Sequence, residues 1–281
     1  MDGRLPAAVT RLIAAALEED LGAGDMTSSL TVPEDQESTA VIMAKGSFVV
    51  AGLPVAREVL RMVDEAASFE AAAPEGSWVR RGAVVARLSG RTRSLLAAER
   101  VMLNFLQRLS GVATLTRKFV KEAEGTGARV LDTRKTTPGM RFLEKYAVRA
   151  GGGSNHRLGL YDAILIKENH IAAAGGLGKA VALARAGAPH LCKVEVEVED
   201  MAEFREALRA GADVIMLDNM PLDEIRDAAR LARGKALVEV SGNVTLRGVR
   251  ELALAGVDLI SVGALTHSAP AADMSMKIRK P

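Results

Sequence analysis

The sequence predicts an α/β fold in two parts, a small α+β domain followed by an irregular barrel of parallel strands with fewer than eight strands. Two observations carry this. From Arg129 onward the short apolar runs RVLDT, AILIK, KVEVEVE, DVIMLD, ALVEVS and DLISVG are separated by intervals, the later of them helical in pattern, AEFREALRAG, LDEIRDAARLARG and TLRGVRELALAG. Such strand–helix alternation, at spacings of about 20 to 30 residues, marks a parallel sheet with right-handed crossovers. A full eight-unit barrel takes about 250 residues, and only roughly 140 lie between Arg129 and His267. A doubly wound sheet is the alternative.

Ahead of this region the chain reads differently. Pro6 to Asp20 has a helical apolar pattern, and STAVIMAKGSFVVAG is a β-type run. Leu53 to Ala66 reads as a helix, and SFEAAAPEGSWVRRGAVVARLSG as short strands with glycine turns. A longer helix is expected from about Arg91 to Glu124, with Leu95, Leu96, Met102, Leu103, Leu106 and Leu109 on its apolar side and a break at Ser110-Gly111.

The 281 residues include 37 basic and 35 acidic side chains, a net charge of +2 that argues against a nucleic-acid or membrane-surface partner. Aromatic residues at 3% offer little for stacking bases. One cysteine, Cys192, allows no intrachain disulfide, which favours the cytoplasm. No run approaches the ~20 apolar residues of a membrane span.

In parallel α/β folds the chemistry gathers where strands end. Those positions here hold Asp132, Lys167, Glu197, Asp218, Ser241-Gly242 and Gly263, a set of polar or glycine residues capping apolar strands. Glu197 and Asp218 among cations point to Mg²⁺, which is held by one or two carboxylates plus substrate phosphates. In VEVEVE, spacing alone leaves open which of Glu195, Glu197 and Glu199 points inward, and alternating exposed glutamates would look the same. The loops VSGNVT and SVGALTHS follow the last two strands, where barrels bind phosphate through backbone amides. Neither a GxGxxG fingerprint nor a GxxxxGK[ST] loop is present.

Against this near-neutral background, DTRKTTPGMRFLEKYAVRAGGGSNHR, from Asp132 to Arg157, carries four arginines, two lysines and a histidine but only two acids. Arg134, Lys135, Arg149, His156 and Arg157 are candidates to hold an anion, arginine's planar fork being suited to carboxylates. The three glycines would bring the chain close to it. Arg141 and Lys145 fall at helical spacing and are expected to face solvent.

These stretches, with LIKENHI, VEVEVED, IMLDN, VSGNV, VGALTHS, EEDLGAGDMTSSL and AERVMLNFLQRLSGVAT, resemble the quinolinate phosphoribosyltransferase family over almost the whole chain. The resemblance implies an N-terminal α/β sandwich domain over residues 1–112 and a TIM-like barrel with fewer than eight strands over 113–269, the tail 270–281 packing back on the first. It implies transfer of phosphoribosyl from 5-phosphoribosyl-1-pyrophosphate to quinolinate, with Mg²⁺, yielding nicotinate mononucleotide, pyrophosphate and CO₂ for NAD synthesis. It implies homodimers with shared sites, sometimes assembled into hexamers. Quinolinate would be held by Arg134, His156 and Arg157, with Arg100 arriving from the other subunit. Lys135, Lys167, Glu197 and Asp218 would be catalytic and would also face the phosphoribosyl-pyrophosphate and its metal, which favours Glu197 in the open register. Ser241, Gly242, Gly263 and His267 would line the phosphate loops.

Within the same enzyme class, ModD-like molybdenum-associated relatives and a nicotinate-specific enzyme are the alternatives, with YDAILIKENHI favouring quinolinate. A different class, a lipoyl or biotinyl carrier built on EGSWVRRGAVVARLSG and Lys45, would leave the second domain unexplained.

Overall fold

A computed structural model describes residues 5–279; residues 1–4 and 280–281, the start of the opening segment and the end of the expected tail, lie outside the described residues. The chain divides into two compact units. The first comprises the residues up to Arg117, Thr137–Gly152 and the stretch from Ala269 onward, and the second Lys118–Thr136 with Gly153–Ser268. Thr137–Gly152, inside the stretch expected in the barrel, thus groups with the first unit.

The first unit opens with α1 (Ala7–Leu21), which buries Val9, Ile13 and Leu17 at four-residue spacing, a narrow apolar stripe on one helix face. Then come α2 (Met26–Thr31), β1 (Glu37–Ala44), β2 (Phe48–Val49), α3 (Leu53–Val63), β3 (Ser68–Ala71), β4 (Trp78–Val79) and β5 (Val84–Arg91). Helix α4 (Thr92–Ala123) runs unbroken for 32 residues and carries the chain into the second unit. Ser110-Gly111, expected to break it, is an approach point instead. The Ser110 hydroxyl accepts the Ala51 N–H at 3.0 Å, and a Cβ on Gly111 would lie 2.1 Å from the Pro270 carbonyl oxygen. Glycine is there because another backbone touches the helix, not because the helix ends.

The second unit begins with β6 (Arg129–Leu131); after it α5 (Arg141–Ala150) returns to the first unit. Leu143 to Val148 are all buried, including Lys145, 2% exposed, so the expectation that Lys145 faces solvent is overturned. A helix covered on every side takes its polar positions inside as well, and they then need partners. Glu144 accepts Arg108 and the Thr137 backbone and hydroxyl. Arg141 is partly exposed.

The rest follows as β7 (Ile164–Ile166), α6 (Glu168–Ala174), α7 (Leu177–Gly187), β8 (Val194–Val198), α8 (Met201–Ala210), β9 (Val214–Asp218), α9 (Leu222–Ala232), β10 (Leu237–Ser241), α10 (Val249–Leu254), β11 (Leu259–Ser261) and α11 (Ala264–His267). Finally β12 (Met274–Arg279) pairs antiparallel with β1, in a four-stranded sheet β12-β1-β5-β3.

The six parallel strands of the second unit lie in the order β6-β11-β10-β9-β8-β7. This is chain order with the first strand placed beside the last, a circular arrangement interrupted between its first two strands. A doubly wound sheet would instead reverse direction at a switch point, so the reduced barrel is the arrangement found. On its other edge β6 is bridged in parallel at Leu131 by Ser154, from the irregular segment that leads to His156 and Arg157. Where the circle is interrupted, the chain supplies site residues.

Side chains alternate along these strands. On β8 Val194, Val196 and Val198 are buried on one face while Glu195 and Glu197 share the other. Leu131, Val214, Leu259 and Leu237 pack together, each two residues before a polar or sulfur-bearing side chain on the same face: Thr133, Met216, Ser261 and Glu239. An apolar layer therefore underlies a more polar one.

Candidate active site

That more polar layer opens into a cavity of about 870 Å³, lined wholly by residues of the second unit. Its wall holds Arg134, Lys135, His156, Arg157, Lys167, Glu197, Asp218, Ser241, Gly242, Gly263 and His267. Among the residues named from the sequence, Asp132 is buried and does not line the cavity, and Arg100 is exposed on α4 in the first unit. Arg149 is exposed on α5 in the first unit and does not line the cavity either. The first of the three glycines serves packing. A Cβ on Gly151 would lie 2.5 Å from the Ala113 carbonyl oxygen and 2.7 Å from Thr116, so the backbone lies against α4 rather than against an anion.

The cationic loop is held at both ends. Asp132, fully buried, accepts the Asn155 amide at 2.6 Å and the His156 backbone N–H at 2.9 Å. Two loops distant in sequence are thereby joined by one carboxylate. The Thr266 hydroxyl donates to the Lys135 carbonyl at 2.7 Å, tying the same loop to α11. Gly263 permits this approach, since a Cβ there would meet the His267 ring and the Lys135 chain at 3.2 Å.

Arg157 donates to the Ala163 carbonyl at 3.2 Å, and Asp162 closes the intervening turn by accepting the Leu158 and Gly159 N–H groups. Burial pushes the Arg157 guanidinium below its ordinary pKa and the nearby charge of Arg134 adds to this, with Glu195 and Asp162 opposing. Two guanidiniums facing one partly desolvated space are arranged for an anion.

Lys167, at the end of β7, pairs with Glu197 on the neighbouring β8. The register accounts for it: Ile166 lies opposite Val196, which places the next residues side by side. Glu199, the third glutamate of the run, is exposed beyond the strand. Asp218 and Ser241 end β9 and β10 directly opposite one another. Just beyond them Asn219 and Asn243 adopt left-handed backbone conformations at φ 53° and 43°, and the Asn243 amide donates to the Asn219 side-chain oxygen at 3.1 Å.

Two buried acids lie behind the cavity wall: the sequence left Glu195 open as one of three candidates and assigned no role to Glu239. Glu195 is 7% and Glu239 1% exposed, and both lie close to the His156 Nε2, at 3.2 and 3.6 Å. Each shares a strand face with a cavity residue, Glu195 two residues from Glu197 and Glu239 two from Ser241. A charge in the middle of a core strand is more informative than one at its end. His156, Glu195 and Glu239 also form the one cluster among the described residues in which three ligand atoms gather within 4.8 Å. Glu197 and Asp218, by contrast, offer two carboxylates to the open cavity.

The chain matches the family models of the quinolinate phosphoribosyl transferase N-terminal domain over residues 25–110 and C-terminal domain over residues 112–277. It is 46% identical over 260 residues, 92% of this chain and 90% of the relative, to a probable nicotinate-nucleotide pyrophosphorylase [carboxylating] of Bacillus subtilis. A relative of the same description from Synechocystis is 43% identical over 93% of this chain and 90% of its own. Among solved structures, NadC from Streptococcus pyogenes superposes with a TM-score of 0.94 at 42% identity, covering 99% of both chains.

Proposed function

The chain belongs to the quinolinate phosphoribosyl transferase family, and from that premise we propose how its cavity works. The enzyme transfers phosphoribosyl from 5-phosphoribosyl-1-pyrophosphate to the ring nitrogen of quinolinate with loss of CO₂, giving nicotinate mononucleotide and pyrophosphate in de novo NAD synthesis. The observation that carries its assignment to this cavity is the meeting of Arg134, Lys135, Arg157 and Lys167 with the strand-end loops of β10 and β11 in one space.

In this reading Arg134 and Arg157 hold the dicarboxylate, whose negative charge offsets the burial and the repulsion that lower the Arg157 pKa. The ring nitrogen then attacks C1 of the ribose as the C1–oxygen bond breaks and its electron pair departs with pyrophosphate. No covalent enzyme intermediate is needed, so the protein orients the reactants and stabilises charge. Lys135 and Lys167 face the leaving oxygens. Glu197 and Asp218 favour the positive charge that develops at C1. Backbone amides at Ser241-Gly242 and Gly263, with His267, take the ribose phosphate. Mg²⁺ fits the same two carboxylates, a donor set suited to an ion that also binds substrate phosphates; when bound it neutralises charge on pyrophosphate.

The alkylated pyridinium accepts the electron pair of the C2–carboxylate bond as CO₂ leaves, and a proton takes its place at C2. Tight cations on the departing carboxylate would resist this, so the arginine fork belongs on the carboxylate the product keeps. We place the reaction in the cytoplasm, on the single cysteine, and no described helix is long and apolar enough to cross a membrane. Exposed Arg100 is read as reaching a second subunit's cavity in a homodimer, alone or within a hexamer. The test is turnover with 5-phosphoribosyl-1-pyrophosphate and Mg²⁺. Mononucleotide from quinolinate and not from nicotinate is expected, and product from nicotinate alone would overturn the reading.

A further inference from the structure

The Nδ1 atom of His156 accepts the Arg157 backbone N–H at 2.7 Å, so the ring proton sits on Nε2 and points at Glu195 Oε2, 3.2 Å away. Both ring nitrogens are thus committed within the protein. Behind the ring, Glu195 Oε1 is buried with no hydrogen-bond partner. An orphaned buried acceptor is costly. The other acid here is Glu239: one ligand atom each of His156, Glu195 and Glu239 lie within 4.8 Å of one another, and Glu239 Oε1 accepts the Ser261 hydroxyl. Two buried carboxylates this close cannot both be charged without large repulsion.

We propose that Glu239 is a positioning residue for phosphoribosyl transfer: as a neutral acid it donates its proton to Glu195, and the pair fixes the tautomer and plane of His156 on the cavity wall. Burial, followed by the charge of Glu195, pushes the Glu239 pKa up to about 8, which keeps the acid protonated at neutral pH. The groups facing Glu239 are Glu195 from β8, His156 from the segment after β6 and Ser261 from β11. Its β9 neighbour is the apolar Met216. His156 in turn fixes Arg157, whose N–H it accepts, so loosening the pair is felt in the anion pocket. This rests on the quinolinate reading of the cavity, but the state of the His156 ring does not.

The experiment compares Glu239→Gln and Glu239→Leu with the unaltered enzyme. Glutamine reproduces the neutral acid, its amide donating to Glu195 and its oxygen accepting from Ser261. It should keep near-normal turnover at pH 7 and remove the fall in kcat/KM for quinolinate that is expected of the unaltered enzyme as Glu239 loses its proton above about pH 8. Leucine should raise the quinolinate KM about tenfold, the effect of one lost buried hydrogen bond, and leave the KM for 5-phosphoribosyl-1-pyrophosphate within about twofold. Nitrogen NMR of the histidines, with His156→Gln for assignment, should show His156 as the Nε2–H tautomer in the unaltered protein and in Glu239→Gln. The proposal is overturned if glutamine is as damaging as leucine at pH 7, if a folded leucine variant keeps its quinolinate KM, or if His156 carries its proton on Nδ1. An unaltered enzyme that turns over no quinolinate would remove the substrate reading while the NMR result still decides the ring.

Discussion

Arg157 is where three demands meet: its side chain is tied to the Ala163 carbonyl, its backbone N–H fixes His156, and its charge is disfavoured by burial and by nearby Arg134. A lysine in its place keeps the charge but loses the planar fork. Arg157→Lys should therefore raise the quinolinate KM about 10- to 100-fold, the equivalent of ~1.5–3 kcal/mol for a charge-assisted hydrogen bond. The KM for 5-phosphoribosyl-1-pyrophosphate should change little, and steady-state kinetics varying each substrate separately reads the split. Arg134 and Arg157 were visible in the sequence because cations clustered in a near-neutral chain stand out, and Lys167 because it ends an apolar strand. Glu239 was not, and Glu195 stayed one of three open candidates, because alternation in VEVEVE and LVEVS is equally the pattern of an exposed strand face. Their burial is decided by a layer of neighbouring strands that no local pattern reports. Glu239 also leaves a thermodynamic mark. Between the ordinary carboxyl value of 4.5 and about 8, the folded state holds a proton that the unfolded state has released. The contribution of Glu239 to stability therefore falls as pH rises through that window. Glu239→Gln removes the dependence, so its melting temperature should gain on the unaltered protein from pH 5 to pH 8.

At the scale of elements, the turns that follow β9 and β10 are built against each other. Gly242 has φ 87°, and a Cβ there would lie 2.3 Å from the Asn219 side-chain oxygen that accepts Asn243. Gly242→Ala would strain the backbone and break that link, at ~1–3 kcal/mol. The expected outcome is a lower melting temperature and a KM rise for 5-phosphoribosyl-1-pyrophosphate larger than that for quinolinate. Equal rises would place this loop elsewhere than on the phosphate. Strands β6 to β11 were legible because each is a short apolar run flanked by turn or helix residues. The break expected at Ser110-Gly111 and the solvent-facing Lys145 were misread for one reason. Both depend on what packs against a helix, and helical spacing reports only which residues share a face.

For the whole molecule, Arg100 is the assigned residue that the cavity wall does not include, and it is exposed on α4. If sites are completed across a dimer, Arg100→Ala and Lys167→Ala are each inactive alone. Mixed after subunit exchange, they should recover up to about a quarter of normal activity, since heterodimers carry one intact site. No recovery after exchange verified by mass spectrometry would confine the site to one chain. The circular strand order with the site segment beside β6 ties the fold to the chemistry, since His156 and Arg157 come from the place where a further strand would close the barrel.

The most direct measurement supplies quinolinate labelled in its 2-carboxylate, with 5-phosphoribosyl-1-pyrophosphate and Mg²⁺, and follows the label. One labelled CO₂ for each unlabelled nicotinate mononucleotide is the predicted result. Label retained in the nucleotide, or nucleotide formed without CO₂, would contradict the reading of this cavity as one that binds two carboxylates and releases one.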